Sequence, residues 1–333
     1  MLLSIAVPSY NAQETLGRCL SSFADGRFLD RLEVLIIDDG SQDDTAAVAQ
    51  RFVQAHPGIF RLISQPNAGH GGAVNTGIAA ARGKYFRIVD ADDWMDSDAL
   101  AKLLNAMESL SPDMFLDERT ENWETSGREV PICLPKSAPF GRIADFSSIT
   151  GSEFFPCISM HTVTPRTELL RTAGVRLMEH AFYVDMQYVI GIACFARTVT
   201  AMQLRVYHYA LGIRGQSVNP VNYVRNYAQH DRVLKACARY CAENANQMPP
   251  GREEYVRTLL TLLAHTQYNI ALIYNPDRQE GARQARELTA FLSNEFPWLA
   301  RATLKRRYTA HLLHDLGVDY HWLQRLKSVV GRA

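Results

Sequence analysis

Five aspartates lie within nine residues, at the end of a predicted strand and directly after it. The stretch YFRIVDADDWMDSDAL contains them as Asp90, Asp92, Asp93, Asp96 and Asp98. Carboxylates repel one another, but Mg²⁺ and Mn²⁺ prefer oxygen ligands and are commonly held by one or two carboxylates together with substrate phosphates. Asp90 and Asp92 are spaced i,i+2 on one face of a strand, so we predict a Mn²⁺ or Mg²⁺ site there, with Asp93 assisting. Asp96 and Asp98 are predicted to start the next helix.

Other chemistries that use paired aspartates fit this stretch less well. A calcium EF-hand loop needs Gly at its sixth position and Glu at its twelfth, where this chain has Met95 and Ala101. A phosphoaspartate hydrolase motif would follow the first strand and would have Thr or Val where Trp94 stands. The glycine-rich segment after the third predicted strand does not complete G-x-G-x-x-G, because Val74 occupies the last glycine position.

Strands and helices alternate through the first 120 residues. Apolar runs predict strands at 2–10, 32–40, 60–66 and 85–90, and helical patterns follow at 15–23, 41–56, 71–82 and 96–109. The second helix is predicted to begin at Ser41, whose hydroxyl would cap it, with Asp43 and Asp44 in its first turn. Apolar strands that alternate with helices indicate an α/β fold with a doubly wound, mostly parallel sheet covered on both faces.

Polar side chains follow each of the four strands. The four segments are Pro8-Ser9-Tyr10-Asn11, Asp38-Asp39-Gly40-Ser41, Asn67 to Gly72, and Asp90 to Asp93. The carboxyl ends of parallel strands meet at one edge of a sheet, and open α/β sheets bind ligands there. We therefore predict a single binding site built from all four segments.

The regular alternation ends after Phe115. Residues 118–160 are predicted to be loops and edge strands, followed by a helix near 166–173 and a buried helix over 178–196. From Val221 the chain is predicted to be helical, with breaks at 248–251 and 294–298. These patterns predict an α/β domain over residues 1–218 and an α-helical region over residues 219–333.

Composition limits the classes of partner and compartment. Lys plus Arg and Asp plus Glu each total 35, and the chain has no long basic run, which argues against general nucleic-acid binding. The six cysteines contain no C-x-x-C pair, so neither a zinc ribbon nor a redox dithiol is indicated. The N-terminus lacks the pattern of a signal peptide, and no apolar stretch approaches the ~20 residues of a membrane span. A cytoplasmic location is expected.

Four sequence segments carry a resemblance to a known family. In this order, IAVPSYN, VLIIDDGSQDDT, NAGHGGAVNTGIAAARGKY and VDADDW resemble the nucleotide-sugar domain of the family 2 inverting glycosyltransferases. The resemblance covers residues 1–120 and extends to about residue 220. It implies the GT-A fold with a D-x-D metal motif, donor binding by residues 1–120, and an acceptor side over 121–218. The implied donor is a nucleoside-diphosphate sugar, with UDP-sugars favoured.

The resemblance also implies donor contacts from all four segments. The implied donor-binding set is Pro8, Tyr10, Asn11, Asp38, Asp39, Asn67, Gly69, His70, Gly71, Asn75, Asp90, Asp92 and Arg214. Tyr10 would stack on the base, and the carboxylates at 38 and 39 would accept hydrogen bonds from the base or else cap their turn. Many relatives have Arg where this chain has Val74, and His70, Lys84 or Arg214 would supply the missing positive charge. Arg214 and Ser217 would belong to a loop that closes over the diphosphate, or to an ordinary exposed loop.

An inverting transfer needs a base that takes the proton from the acceptor hydroxyl. The family commonly places it in an acidic pair at the start of a helix, and the resemblance assigns it here to Asp185, with Val184 in place of the first acid. The alternative role for Asp185 is a helix N-cap or an ion pair with an arginine, and Glu179 is the second candidate base. His161 is predicted either to face the acceptor or to be a structural histidine.

The resemblance predicts a hexosyltransferase that requires Mn²⁺ or Mg²⁺ and inverts the configuration of the transferred sugar. The implied acceptor is a hydroxyl of a glycan, a polyol-phosphate or a lipid-linked molecule in the synthesis of cell-surface polysaccharide. Two alternatives are a nucleotide-sugar-binding protein without transferase activity and a sugar nucleotidyltransferase. The nucleotidyltransferase would usually have a Gly-rich, basic loop after the first strand, and PSYNAQET is not such a loop.

The C-terminal region has two features that indicate partners. Residues 302–333 place basic side chains beside Leu, Tyr and Trp, as in a helix that lies on an anionic membrane surface. The alternative is packing of this segment against the catalytic domain or a second subunit. Residues 259–274 are apolar enough for a core helix or the interface of a homodimer. The expected location is therefore cytoplasmic, with peripheral contact to the inner face of the membrane.

Overall fold

The structure is a computed structural model that describes residues 1–212, 220–320 and 322. The chain divides into two compact units, one formed by Met1–Arg214 with Gln247–Arg252 and the other by Gly215–Asn246 with Glu253–Ala333. The first unit mixes strands and helices, and the second is α-helical in its described part. The predicted α/β class with a helical C-terminal region is confirmed.

The secondary structure of the described residues follows in chain order. The strands are β1 (Leu3–Ser9), β2 (Leu32–Asp38), β3 (Phe60–Ser64), β4 (Tyr85–Ile88), β5 (Trp94–Met95), β6 (Met114–Trp123), β7 (Arg128–Ile132), β8 (Ala144–Asp145), β9 (Val163–Pro165) and β10 (Thr198–Leu211). The helices are α1 (Leu16–Ser21), α2 (Thr45–Ala55), α3 (Gly69–Ala80), α4 (Ser97–Ser109), α5 (Thr167–Thr172), α6 (Asp185–Phe195), α7 (Pro220–Arg225), α8 (Tyr227–Glu243), α9 (Arg252–Asn269), α10 (Arg278–Glu295), α11 (Pro297–Ala302) and α12 (Leu304–Asp315). A π-helical segment at Ile270–Tyr274 follows α9 directly.

Four parallel strands form the sheet that carries the predicted site. Their order is β3-β2-β1-β4, and β1 pairs with β2 in a register that runs from Leu3 opposite Leu32 to Ser9 opposite Asp38. Both strands are buried along their whole length, which explains their high content of Val, Ile and Leu. The carboxyl ends of the four strands therefore meet at one edge, as the sequence predicted.

A second, mixed sheet has the strand order β5-β10-β6-β7. Strand β6 pairs in parallel with β10, whereas its pairings with β7 and β9 are antiparallel. An isolated bridge between Tyr85 and Arg166 connects the start of β4 to the segment after β9. The two sheets therefore meet along β4, the strand that leads into the aspartate cluster.

A buried ion pair joins the two sheets. Arg87 of β4 and Asp117 of β6 are both fully buried, and two guanidinium nitrogens of Arg87 contact the two carboxylate oxygens of Asp117. Arg87 also donates to the hydroxyl of Thr164 on β9 at 2.9 Å and to the backbone carbonyl of His161. Burial raises the pKa of Asp117 to about 6, although the charge of Arg87 opposes the shift. One arginine thus fixes β4, β6, β9 and the loop before β9 in a single arrangement.

Two predicted helix starts were wrong, for different local reasons. Helix α2 begins at Thr45 rather than Ser41, because the Ser41 hydroxyl instead accepts a hydrogen bond from the loop after β1 at 3.1 Å. Helix α6 begins at Asp185 rather than at residue 178. His180 and Tyr183 have φ angles of 50° and 67°, which a right-handed helix excludes.

The helix after the aspartate cluster begins as predicted. The Asp96 carboxylate accepts a hydrogen bond from the backbone N–H of Ala99 at 2.7 Å and thereby caps α4. Asp98 lies in the first turn and pairs with Arg27 at 2.8 Å. Asp96 and Asp98 therefore belong to the start of α4, as predicted.

The predicted breaks in the helical C-terminal region are confirmed. Helix α9 begins at Arg252 after the first break, and Pro297 begins α11 at the second. A further break at 275–277, before α10, was not predicted. Gly281 of α10 lies where a Cβ atom would be 2.1 Å from the carbonyl oxygen of Ala271, so this close contact requires glycine. Within the described ranges, the helices all lack the length and apolarity needed to cross a membrane.

We expect the Arg87–Asp117 pair to be essential for the stability of the first unit. Arg87→Met leaves the Asp117 carboxylate buried without its partner, so the free energy of unfolding should fall by about 3–5 kcal/mol. Chemical denaturation followed by circular dichroism measures this change. The control Arg27→Met removes an exposed ion pair and should leave the denaturation midpoint near that of the wild type. Equal midpoints for the two variants would contradict the predicted role.

Candidate donor and metal site

Asp90, which follows β4, lies between two histidines. Its Oδ1 is 2.8 Å from Nε2 of His70, and its Oδ2 is 3.8 Å from Nε2 of His161. Burial alone would raise the pKa of Asp90, but the charges and hydrogen bonds of the two histidines outweigh it and lower that pKa. Burial would likewise lower the pKa of His70, but Asp90 outweighs it and raises that pKa. The Asp90 carboxylate is therefore held in its charged form.

Asp90, Asp93 and His161 form a cluster of the kind that holds a metal ion. One potential ligand atom from each residue lies within 4.8 Å of the other two. His161 was predicted to face the acceptor or to be structural, so its place beside the carboxylates was missed. No local motif in ISMHTV marks it, and only the meeting of the two sheets brings it to Asp90.

The orientation of His161 is fixed by contacts on its ring and its backbone. The ring stacks on Tyr209 with centroids 4.5 Å apart and packs against Tyr207 at 4.9 Å. The backbone carbonyl accepts the hydrogen bond from Arg87. These contacts leave the side chain 15% exposed and hold its Nε2 near Asp90, so little reorganisation is needed for it to act there.

Asp93 is fully buried and connects the cluster to β10. Its Oδ1 accepts a hydrogen bond from the backbone N–H of Ala210 at 2.7 Å, and its Oδ2 accepts one from the Tyr207 hydroxyl. The same hydroxyl accepts a hydrogen bond from the backbone N–H of Asp90 at 3.2 Å. Burial, reinforced by the charges of Asp90 and Asp92, raises the pKa of Asp93 well above its usual value. The Tyr207 hydroxyl therefore links the Asp93 carboxylate to the backbone of Asp90.

Asp92 is half-buried beside the cluster, although its carboxylate is not one of the three clustered ligand groups. Burial and the charge of Asp90 raise the pKa of Asp92 to about 6. Its backbone carbonyl accepts a hydrogen bond from Arg18 at 2.8 Å, and Arg18 also pairs with Glu124 at 2.6 Å. Burial is the main cause of the raised pKa values of Asp92 and Asp93, and repulsion by neighbouring carboxylates adds to it. A bound cation would relieve this repulsion.

Asp185 is the first residue of α6 and is exposed to solvent. The protein around its carboxylate nevertheless limits hydration and raises its pKa, while the charges of His161 and His70 oppose this shift. Asp185 therefore lies within the electrostatic field of the cluster. Glu179, the second candidate base, is exposed and pairs with Arg176 at 3.1 Å.

The two aspartates at the end of β2 both make structural hydrogen bonds. Asp38 Oδ1 accepts from the backbone N–H of Ser41 at 3.1 Å, which is the turn capping predicted as an alternative. Asp39 Oδ1 accepts from the backbone N–H of Ala68 at 2.9 Å, and Asn67 donates to the carbonyl oxygen of Asp39 at 2.9 Å. The Asp39 carboxylate therefore anchors the loop after β3.

The loop after β1 presents an aromatic side chain next to the β2 loop. Tyr10 is 53% exposed, whereas Pro8 is buried within β1. Asn11 has a φ angle of 49°, and its side-chain oxygen accepts from the backbone N–H of Gln42 at 2.8 Å. The backbone N–H of Asn11 donates to the Ser41 hydroxyl at 3.1 Å. The two loops are thus fastened to each other while the Tyr10 ring remains open to solvent.

The start of α3 packs closely against the loop that leads to α6. Gly69 has a φ angle of 74°, and a Cβ atom there would be 2.9 Å from the backbone nitrogen of His180. A Cβ atom on Gly71 would be 2.2 Å from the carbonyl oxygen of Met178. These two glycines therefore allow the loop before Asp185 to lie against the helix.

Asn75 and Lys84 make contacts within the protein itself. Asn75 exchanges two hydrogen bonds with the backbone of Leu177, at 2.8 and 2.9 Å, and so holds the same loop against α3. Lys84 precedes β4 and lies at the opposite edge of the sheet from the aspartates, so its proposed charge compensation beside the diphosphate was wrong. Arg214 and Ser217 lie outside the described residues.

Sequence comparison identifies relatives across different lengths of the chain. Residues 4–144 match the family described as "Glycosyl transferase family 2". Over 255 residues the chain is 41% identical to the Escherichia coli K12 protein named "Uncharacterized glycosyltransferase YibD", and the match covers 72% of each protein. The chain is also 41% identical over 104 residues to the chondroitin synthase of Escherichia coli, which is 31% of this chain and only 15% of that synthase.

Structural comparison finds a solved protein with the same fold. The crystal structure of S. aureus TarS residues 1–349 in complex with UDP-GlcNAc matches with a TM-score of 0.61 and 17% identity, over 96% of this chain and 93% of that one. This likeness establishes the GT-A fold. Because the match to the YibD glycosyltransferase covers most of both proteins at 41% identity, the chain belongs to glycosyl transferase family 2.

Proposed function

We propose that the protein is a metal-dependent, inverting glycosyltransferase that moves a sugar from a UDP-sugar to a hydroxyl acceptor. The observation behind this proposal is the cluster of Asp90, Asp93 and His161 at the carboxyl ends of parallel strands, with Asp185 in its electrostatic field. A cation beside the leaving group and a base beside the acceptor are the two chemical elements that such a transfer needs.

Residues 1–120 are proposed to bind the donor, and residues 121–218 to form the acceptor side of a catalytic domain. The exposed Tyr10 ring would stack on the base, with Asp38 accepting a hydrogen bond from it. The diphosphate would lie beside the N-terminus of α3, where backbone N–H groups and the helix dipole favour an anion, with His70 and Asn67 next to it. TarS, which shares the fold, was solved with UDP-GlcNAc, and this supports a UDP-sugar donor.

The residues at the cluster fit Mn²⁺ or Mg²⁺. Asp90, Asp92 and Asp93 offer carboxylate oxygens, and His161 adds an imidazole nitrogen, which favours a transition-metal ion such as Mn²⁺. Each Asp93 oxygen accepts one hydrogen bond from the protein and has a second lone pair for an ion. When bound, the ion neutralises negative charge on the nucleoside-diphosphate leaving group.

Asp185 is proposed as the base. Its carboxylate takes the proton of the acceptor hydroxyl while that oxygen bonds to the anomeric carbon and the bond from this carbon to the diphosphate oxygen breaks. The incoming and leaving oxygens occupy opposite sides of the anomeric carbon, so its configuration inverts. The pKa of Asp185, raised by its surroundings, makes this carboxylate a stronger base than an ordinary aspartate.

The acceptor is proposed to be a hydroxyl of a glycan, a polyol-phosphate or a lipid-linked molecule in cell-surface polysaccharide synthesis. The similarity to part of a chondroitin synthase supports a role in polysaccharide assembly. A nucleotide-sugar-binding protein without activity would have no need of a base. Substitution of Asp185 therefore separates the two functions.

Asp185→Asn keeps the size of the side chain and removes the base. We expect kcat for sugar transfer to fall by about 10²–10⁴-fold, the usual contribution of general base catalysis, with the affinity for the donor unchanged. Transfer of a radiolabelled sugar measures the rate, and calorimetric titration measures donor binding. The matched control Glu179→Gln alters an exposed acid in the same loop and should retain the wild-type rate. A wild-type rate in Asp185→Asn would exclude this residue as the base.

Thermal unfolding with UDP-, GDP-, CDP- and dTDP-sugars, each with and without Mn²⁺, identifies the donor. We expect stabilisation by a UDP-sugar only when Mn²⁺ is present, by about 2.7 kcal/mol at a donor concentration of 100 Kd. Equal stabilisation without metal would contradict metal dependence. If no sugar nucleotide raises the unfolding temperature, the proposed donor class is wrong.

Substitutions in the cluster should weaken the binding of Mn²⁺ itself. We expect Asp90→Asn and His161→Ala each to raise the Kd for Mn²⁺ by at least about tenfold, the scale found for residues that ligate or orient a metal. Electron paramagnetic resonance of free Mn²⁺ measures this Kd without an activity assay. His311→Ala, in α12, is the matched histidine control and should leave the Kd unchanged. An unchanged Kd in His161→Ala would remove that residue from the metal site.

A further inference from the structure

Exposed apolar and aromatic side chains are concentrated near the C-terminal end of the described chain. They have exposed fractions between 42% and 69% and are Leu304, Tyr308, Leu312, Leu316 and Trp322. The first four recur every fourth residue along α12 and the turn that follows it, so they form one continuous stripe, here called the α12 stripe. Contiguous exposed apolar surface of this kind marks an interaction site.

The other face of α12 packs within its own unit. Ala310 and His314 are 2% and 7% exposed, and Nε2 of His314 lies 3.1 Å from the carbonyl oxygen of Arg278 in α10. The helix is therefore held in place without using the α12 stripe. The opposite face of α12, which carries the stripe, is exposed.

Positive charge is concentrated in the same part of the chain. Residues 301–333 contain seven Lys or Arg and two Asp, whereas the whole chain has 35 residues of each sign. This segment therefore has a net charge of +5, and the first 300 residues have a net charge of −5. On α12 itself, the exposed Lys305 lies about 100° around the helix from Leu304 and so borders the stripe. The stripe is thus bordered by a basic side chain, in a segment whose sequence is basic overall.

We propose that the α12 stripe is a docking surface for an anionic lipid bilayer. The apolar side chains would enter the interfacial region while Lys305 contacts negatively charged headgroups. Tyr308 and Trp322 are of the aromatic types that are enriched at membrane interfaces. A second copy of the chain is a poorer occupant, because a two-fold contact centred on the stripe would bring the basic side chains of both copies together.

Co-sedimentation of the full chain with vesicles tests this proposal. The protein is mixed with vesicles of phosphatidylcholine alone or with vesicles that also contain phosphatidylglycerol. We expect binding to the phosphatidylglycerol vesicles that weakens as salt is added, because salt screens the headgroup charge. The double variant Tyr308→Ser with Leu312→Ser should partition onto these vesicles at least about tenfold less. It removes apolar side-chain surface that would be buried in the membrane interface on binding.

Two further variants separate charge from apolar contact. Lys305→Glu should also lower the partition onto phosphatidylglycerol vesicles, because it reverses the charge beside the stripe. Leu29→Ser replaces a 52% exposed leucine of the first unit and should bind as the wild type does. All the substituted side chains are exposed, so the variants should keep the thermal unfolding and sugar transfer of the wild type.

Three results would overturn the proposal. The first is failure of the wild-type protein to sediment with phosphatidylglycerol vesicles. The second is binding of the stripe variant that is as strong as that of the wild type. The third result would come from sedimentation velocity without vesicles: conversion of a dimer to a monomer by the stripe variant would show that a second copy occupies the surface.

Discussion

Repulsion among three carboxylates at the end of β4 is the constraint on which the arrangement of the site depends. Asp93 is fully buried and Asp92 half-buried, and burial together with neighbouring negative charge raises the pKa of each. Asp90 remains charged because His70 and His161 lie on either side of it. A protein tolerates such crowding where a cation and its ligand are to be bound, since the ion offsets the repulsion.

The rest of the first unit holds these groups in position. Tyr207 of β10 joins Asp93 to the backbone of Asp90, and Arg87 connects β4 to the second sheet through Asp117 and the carbonyl of His161. The same helix that begins at Gly69 anchors the loop that precedes the proposed base. The metal-type cluster and the base are therefore positioned by a few buried polar contacts between elements that are far apart in the chain.

Features that depend on local sequence could be predicted, and those that depend on contacts between distant segments could not. The apolar strands, their parallel arrangement and the cap at Asp96 follow from short-range patterns, and all are observed. The start of α2 was predicted wrongly because the Ser41 hydroxyl is taken by another loop. His161 and Tyr207 carry no local signal, because their roles appear only when the two sheets meet at β4.

The second unit adds a feature that the donor site does not require. Helix α12 has one face that packs within its own unit and one exposed apolar face bordered by Lys305. A transferase that docks on a lipid surface meets membrane-anchored acceptors by diffusion in two dimensions. The first unit would then perform the transfer and the second unit would bind the membrane, so substitutions in one could change its function without changing that of the other.

Anomalous diffraction at the manganese absorption edge, from crystals of the protein grown with UDP and Mn²⁺, shows whether a metal ion binds at the aspartate cluster. We expect a Mn²⁺ peak beside the Asp90 carboxylate and at least one neighbouring aspartate, next to the diphosphate of UDP. UDP bound at this edge of the sheet without a Mn²⁺ peak beside Asp90, or Mn²⁺ bound at other residues, would contradict the proposed metal site.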